Sequence, residues 1–214
     1  MSSCDQRITA IEKQGKKPNR RSIFINGKFA LGVDASVVLD LGLQVGQQMT
    51  EEKLQAIVRA ELAAKAWHKA LRLLEYRPRS KKEIVRRLET AGFAEDIIEE
   101  TLTRLEQAGL VDDLEFSKSW VSHRLTENAI GKTRIRWELR QKGVPTEVIE
   151  EAVSAIGTDT EYQLAMDTAK RRWERDKDLD LNSKRRRLAS YLRRRGFDWD
   201  VITKVMNELV GTIR

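Results

Sequence analysis

Residues 84–98, IVRRLETAGFAEDII, return as 135–149, IRWELRQKGVPTEVI, and again as 188–202, LASYLRRRGFDWDVI. Aligned on Gly92, Gly143 and Gly196, the copies agree well beyond the glycine. Leu88, Leu139 and Leu192 stand four positions earlier, and Ile84, Ile135 and Leu188 eight earlier. Phe93, Val144 and Phe197 follow directly. Ile97-Ile98, Val148-Ile149 and Val201-Ile202 come five and six later, and Leu105, Ile156 and Leu209 thirteen later. Upstream, Trp120 matches Trp173, with Ala70 near the equivalent place in the first copy.

Two apolar residues at −8 and −4 lie on one face of a helix. The glycine suits the left-handed position that ends such a helix, and the apolar residue after it folds back over the last turn. The later offsets then give the buried stripe of a following helix. Each copy reads as helix, helix–glycine, helix. A unit of this size buries little apolar surface alone, so stacking is expected. The expected fold is mainly α: tandem three-helix repeats in an elongated array, 61–112, 113–157 and 158–214.

Residues 1–60 read differently. Ile8–Lys13 and Ser22–Asn26 are short, partly alternating apolar runs, joined by Gln14–Arg21 with Gly15 and Pro18. Asn26-Gly27 is a hairpin signal between Ser22–Ile25 and Lys28–Val33, because a type I′ turn needs positive φ twice. A small N-terminal β-hairpin unit is expected, then a short helix capped by Asp34 and ended by Gly42. Thr50-Glu51-Glu52 opens a long helix that Pro78 limits to Tyr76, about 40 Å if unbroken.

Charged residues make up 34% of the chain and aromatics 6%, which suits amphipathic helices in thin layers. The net charge of +7 favours a polyanionic partner without naming one. Cys4, the lone cysteine, falls in an N-terminus expected to fray. With no disulfide possible inside the chain, no apolar leader and no run of 18 apolar residues, a cytoplasmic protein without membrane contact is expected.

Catalytic motifs are thin. Gly131-Lys132-Thr133 resembles the end of a phosphate loop, but Thr126 stands where the first glycine belongs and no strand precedes it. The expected reading is a helix start with Lys132 facing solvent. His68 and His123 stand apart without metal-ligand spacing, so neither metal nor cofactor is expected. Asp112-Asp113 reads as a helix cap and Asp176–Asp180 as a solvated loop. Trp120 and Trp173 read as core, while Trp137 lies off the apolar stripe. No enzyme is expected.

The basic residues are more informative. In the third repeat, Lys184, Arg185, Arg186, Arg187, Arg193, Arg194 and Arg195 fall within twelve residues that contain no acid. Solvated helices usually mix signs to gain i,i+4 pairs. The second repeat carries Lys132, Arg134, Arg136, Arg140 and Lys142 away from Ile135 and Leu139. The first has Lys81, Lys82, Arg86 and Arg87, tempered by Glu83 and Glu89. These residues are the candidate partner or nucleic-acid surface.

Ser80-Lys81-Lys82-Glu83-Ile84 through Gly92-Phe93, Gly109-Leu110-Val111-Asp112-Asp113 with Phe116, Gly131-Lys132-Thr133-Arg134-Ile135, Glu138-Leu139 and Lys142-Gly143-Val144 resemble the RecX family of recombination regulators. The likeness runs from about Leu71 through Ile156 and more loosely through Arg195-Gly196-Phe197. It implies tandem three-helix repeats that bind the filament of RecA-type recombinase on single-stranded DNA and modulate, usually restraining, its strand exchange, ATPase and coprotease activities. A monomer is expected. Against this stands a helix-turn-helix regulator that reads DNA without recombinase. In that alternative the densest bases should follow the glycine turn, whereas here they precede it. A nucleotide hydrolase rests on Gly131-Lys132-Thr133 alone.

Overall fold

A helix can stop abruptly only where its last carbonyls find donors. The three aligned glycines provide that stop, with φ of 83° at Gly92, 76° at Gly143 and 84° at Gly196. At each, the next residue donates its N–H to the carbonyl of the matched leucine: Phe93 to Leu88, Val144 to Leu139 and Phe197 to Leu192, all at 3.2–3.3 Å. The computed structural model describes residues 6–15 and 17–211, so Cys4 lies outside the described residues.

The elements are β1 (Ile8–Gln14), β2 (Lys17–Ile25), β3 (Lys28–Asp34), α1 (Ala35–Asp40), α2 (Glu51–Tyr76), α3 (Lys81–Glu89), α4 (Glu95–Gln107), α5 (Asp113–His123), a π-turn (Arg124–Asn128), α6 (Lys132–Gln141), α7 (Thr146–Ser154), α8 (Thr158–Arg175), α9 (Leu181–Arg194) and α10 (Trp199–Gly211). The fold is mainly α, with the repeats formed by α2–α4, α5–α7 and α8–α10. They divide into two compact units. One holds the sheet, α1, α2, α4 and α3 from Ile84; the other holds the first turn of α3 and α5 to α10.

In the first unit the strands form an antiparallel sheet in the order β1-β2-β3. Asn26 and Gly27 both take positive φ, 49° and 77°, as the hairpin signal requires. The expected connection Gln14–Arg21 is a departure: from Lys17 it is already strand, with Gln14 paired to Lys17. Pro18 is tolerated because pairing with β3 starts only at Arg20, so its missing N–H faces no partner strand on that side. Asp34 caps α1 by accepting from the Ser36 N–H. Ile8, Ile23, Val33, Val37 and Ile57 form the core beneath the sheet. Thr50 caps α2, which runs unbroken through residues 60 and 61 to Tyr76.

The second unit has two apolar clusters. Phe116, Ile135, Leu139, Ile149 and Val153 centre the second repeat, and Ala165, Leu188, Leu192, Ile202 and Val205 the third. Trp120 packs against the former and Trp173 against the latter, as their matched positions imply. In the third repeat the Tyr162 hydroxyl donates to Glu208, and that bond, with burial, pushes its pKa up to about 12.

The repeats within this unit are joined by backbone. Gly131 and Thr133, at the start of α6, donate their N–H groups to the carbonyls of Arg195 and Gly196, which end α9, at 3.0 and 3.1 Å. The Thr133 hydroxyl bonds Asp198. The equivalent start of α3 sends the Ser80 hydroxyl to the Lys142 carbonyl at 2.6 Å, beside the turn that ends α6. A buried carboxylate completes each junction. Asp113 accepts from the Lys81 N–H at 2.9 Å, and Glu161 from the Lys132 N–H at 3.1 Å. Glu61 plays the same part in the first unit, accepting from the Asp34 N–H at 2.6 Å and from Arg20 at 2.7 Å.

These junctions set different costs for similar substitutions. A Cβ at Gly92 meets nothing, so Gly92→Ala should cost only the left-handed penalty of about 1–2 kcal/mol. A Cβ at Gly131 would overlap the Gly196 carbonyl, which has no flexible end to yield. Gly131→Ala should therefore destabilise by overpacking, about 1–3 kcal/mol, although its φ of −80° is ordinary. Urea unfolding of both variants checks this, and an unperturbed Gly131→Ala would contradict the junction. Glu161→Leu should cost about 2–3 kcal/mol by orphaning the Lys132 N–H and ammonium. Glu161→Gln, which keeps an acceptor, should cost less in the same measurement.

Candidate polyanion-binding surface

Helix α9 is set by Asp180, whose carboxylate accepts from the Ser183 N–H at 3.0 Å. Its pKa is held below the usual carboxylate range, chiefly by the Ser183 hydroxyl and N–H and also by the charge of Arg186. Leu188 and Leu192 are fully buried, which turns Arg185, Arg186, Arg187, Arg193 and Arg194 to solvent. Among the described residues, Arg185, Arg187, Arg193 and Arg194 have no hydrogen-bond or ion-pair partner. Lys184 and Arg195 differ. The Lys184 ammonium lies 5.3 Å from the Trp173 ring, while Arg195 lies 5.2 Å from the Tyr191 ring and donates to the Asn128 carbonyl. Arg172, Ser183, Arg186, Arg187, Ser190 and Arg194 line an open groove of about 620 Å³.

The second repeat departs from the expectation of unpaired charge. Lys132 does not face solvent: its side chain is 16% exposed and its ammonium lies 3.5 Å from Glu161. Arg134 pairs with Glu138 at 3.3 Å and lies over Trp137 at 4.2 Å. Arg136 pairs with Glu150 at 3.0 Å, and Lys142 with Glu83 at 3.5 Å while sitting 4.1 Å from the Trp120 ring. Of that set only Arg140 is exposed without a partner among the described residues. In the first repeat Lys82, Arg86 and Arg87 are exposed and Lys81 is half-buried. Glu138 stands four residues after Arg134 on α6 itself, but Glu161, Glu150 and Glu83 come from other helices, where periodicity within α6 cannot reveal them.

Glu138 is a residue that the charge reading passed over. Its side chain, 14% exposed, accepts from Trp120 Nε1 at 3.1 Å and Arg124 Nε at 2.7 Å, tying α6 to α5 and the π-turn. Asp112 caps α5 as expected, accepting from Leu114 and Glu115. Gly131-Lys132-Thr133 opens α6, and its three N–H groups go to the Arg195 and Gly196 carbonyls and to Glu161. Trp137 and Trp199 are 47% and 65% exposed. Among the described residues no group of three metal-capable side chains occurs, and no helix is long and apolar enough to cross a membrane.

Four family models cover most of the chain. The regulatory protein RecX N-terminal domain matches residues 6–50, and the first, second and third RecX three-helix domains match 66–105, 112–153 and 159–206. Regulatory protein RecX of Clostridioides difficile (strain 630) is 34% identical over 95% of this chain and 96% of its own length. That of Bacillus subtilis (strain 168) is 30% identical over 94% of this chain and 76% of its own. A crystal structure of regulatory protein RecX superposes with a TM-score of 0.83 at 28% identity, covering 94% of this chain and 99% of that one. A RecX structure from Lactobacillus salivarius, 24% identical, shares the fold with a TM-score of 0.67 over 70% of this chain and 97% of its own. With an N-terminal and three three-helix RecX domains matched in order along it, the chain belongs to the RecX family of regulatory proteins.

Proposed function

We propose that this protein binds the filament that RecA-type recombinase forms on single-stranded DNA and inhibits its recombination, ATPase and coprotease activities. It acts as a non-enzymatic monomer in the cytoplasm. The observation that carries this reading is the exposed arginine face of α9, whose like charges repel with no acid set among them, in a family named for regulation. A surface of this kind lowers its electrostatic energy when a polyanion covers it.

The working residues are Arg185, Arg186, Arg187, Arg193 and Arg194. Arg140 and Lys82 add exposed charge in the same unit and Arg86 and Arg87 in the other, while Lys81, Lys132, Arg134, Arg136, Lys142, Lys184 and Arg195 contribute charge from partnered or more enclosed positions. A sequence-specific DNA reader fits less well, because the bases precede the glycine turn rather than follow it.

Five phosphate contacts from α9 give an expected slope of log K against log salt of about −3.5 for single strands. Replacing all five arginines by Glu should flatten that slope and remove at least ~90% of filament inhibition, with helicity by circular dichroism intact. Pull-downs against recombinase with and without single-stranded DNA, across a salt series, make the measurement. Full inhibition by the folded variant would take α9 out of the mechanism.

A further inference from the structure

A second concavity, of about 310 Å³, opens where the π-turn meets α8 and α9. Thr126, Glu127, Asn128 and Ala129 form one wall, and Thr168, Arg171, Arg172, Arg175, Tyr191 and Arg195 the rest. Its position depends on an unusual backbone: the π-turn closes at Ala129, a non-glycine residue with φ of 47°.

The telling residue is Thr168. It is 4% exposed, and its hydroxyl has no hydrogen-bond partner. Several hydroxyls in or at the ends of helices in this chain donate to the carbonyl four residues back: Thr90 to Arg86, Thr101 to Ile97, Thr103 to Glu99, Ser117 to Asp113 and Thr126 to Ser122, at 2.6–3.0 Å. Thr168 does not. Burying an unpaired hydroxyl is costly, and valine would fill the same space without that cost.

Arg172 is also incompletely matched. Its Nε lies 3.1 Å from Asp176 Oδ2 without the alignment of a hydrogen bond, and its guanidinium lies 5.4 Å from the Tyr191 ring. Arg195 approaches the same ring at 5.2 Å. Four guanidiniums thus line one small space with one carboxylate, that of Glu127, which lies 2.9 Å from His123, while Asp176 approaches Arg172 from outside the lining.

We infer that this pocket seats a single phosphate group, with the Thr168 hydroxyl donating to one oxygen and Arg172, Arg175 and Arg195 supplying charge. Forked guanidinium donors match phosphate oxygens, and an orphaned hydroxyl supplies a donor that the fold itself does not use. The phosphate comes from the backbone of a single-stranded nucleic acid or from a free nucleotide. Neither source requires recombinase, so the site stands or falls separately from the filament reading.

The test uses the full chain in calorimetric titrations at constant ionic strength, with inorganic phosphate, ADP and a short oligothymidylate as separate probes. Thr168→Val should weaken phosphate-group binding about tenfold, the loss of one hydrogen bond to a charged group. It should at the same time leave the melting temperature unchanged or higher, which a merely structural hydroxyl would not do. Arg175→Gln, at an exposed position, should weaken binding by a similar factor without altering the fold. Binding of phosphate and ADP, lost in both variants, assigns a site for free phosphates. Binding of oligothymidylate alone, weakened in both variants, assigns the nucleic-acid backbone. Unchanged affinity for every probe in both folded variants, or no binding by the parent protein, overturns the site.

Discussion

The first turn of α6 sends its N–H groups to the carbonyls that end α9, and the second and third repeats depend on that exchange. A helix start has donors without intrahelical partners and a helix end has acceptors in the same condition. Bringing Gly131 and Thr133 against Arg195 and Gly196 satisfies both at once, and it sets the positive end of one peptide dipole against the negative end of another. Backbones can approach this closely only without a Cβ on either side, so glycine stands at both 131 and 196. The remaining N–H, that of Lys132, is closed by a buried carboxylate, Glu161. At the preceding junction the same demands are met differently. Ser80 offers a hydroxyl where Gly131 offers backbone, and Asp113 stands where Glu161 does.

That difference bears on what was legible in the sequence. The glycines at 92, 143 and 196, with leucine four earlier, marked the helix ends because those demands are local: a left-handed residue and an apolar fold-back within one turn. Asp34, Thr50 and Asp112 were readable as caps for the same reason, since each closes a donor two or three residues away. Gly131-Lys132-Thr133 was readable as the helix start it is, but neither as a junction nor for the enclosed Lys132. Its partners lie about sixty residues downstream, and without them three residue types suited to a close backbone approach look like half of a phosphate loop. The strand through Lys17–Arg21 was hidden by Gly15 and Pro18, which mark a turn unless the hairpin partner is already known.

Charge shows the same division between local and distant causes. The bases of α6 looked free because no acid stands at helical spacing on most of that face, yet Glu161, Glu150 and Glu83 reach them from α8, α7 and the start of α3. On α9 no other element brings a carboxylate to Arg185, Arg187, Arg193 or Arg194 among the described residues, whereas Lys184 and Arg195 depart from the local reading by lying against the Trp173 and Tyr191 rings. One repeat position is therefore used in two ways. In the second repeat all but Arg140 of these cations are paired, Lys132 and Lys142 where repeats join. In the third they stay at the surface, where their mutual repulsion brings the fold nothing.

The free arginines and the orphaned hydroxyl also share a boundary. Arg172 lines both the open groove beside Arg186, Arg187 and Arg194 and the smaller pocket holding Thr168, so the two concavities adjoin. A free nucleotide would fill the pocket and leave the groove's charge unmatched. A nucleic-acid strand with one phosphate beside Thr168 would carry its next phosphates toward the groove, and those added contacts would be intramolecular once the first had formed. Chain length then separates the two sources. A strand that occupies both concavities gains affinity with each phosphate until the groove is full, whereas a ligand confined to the pocket gains nothing from a longer backbone.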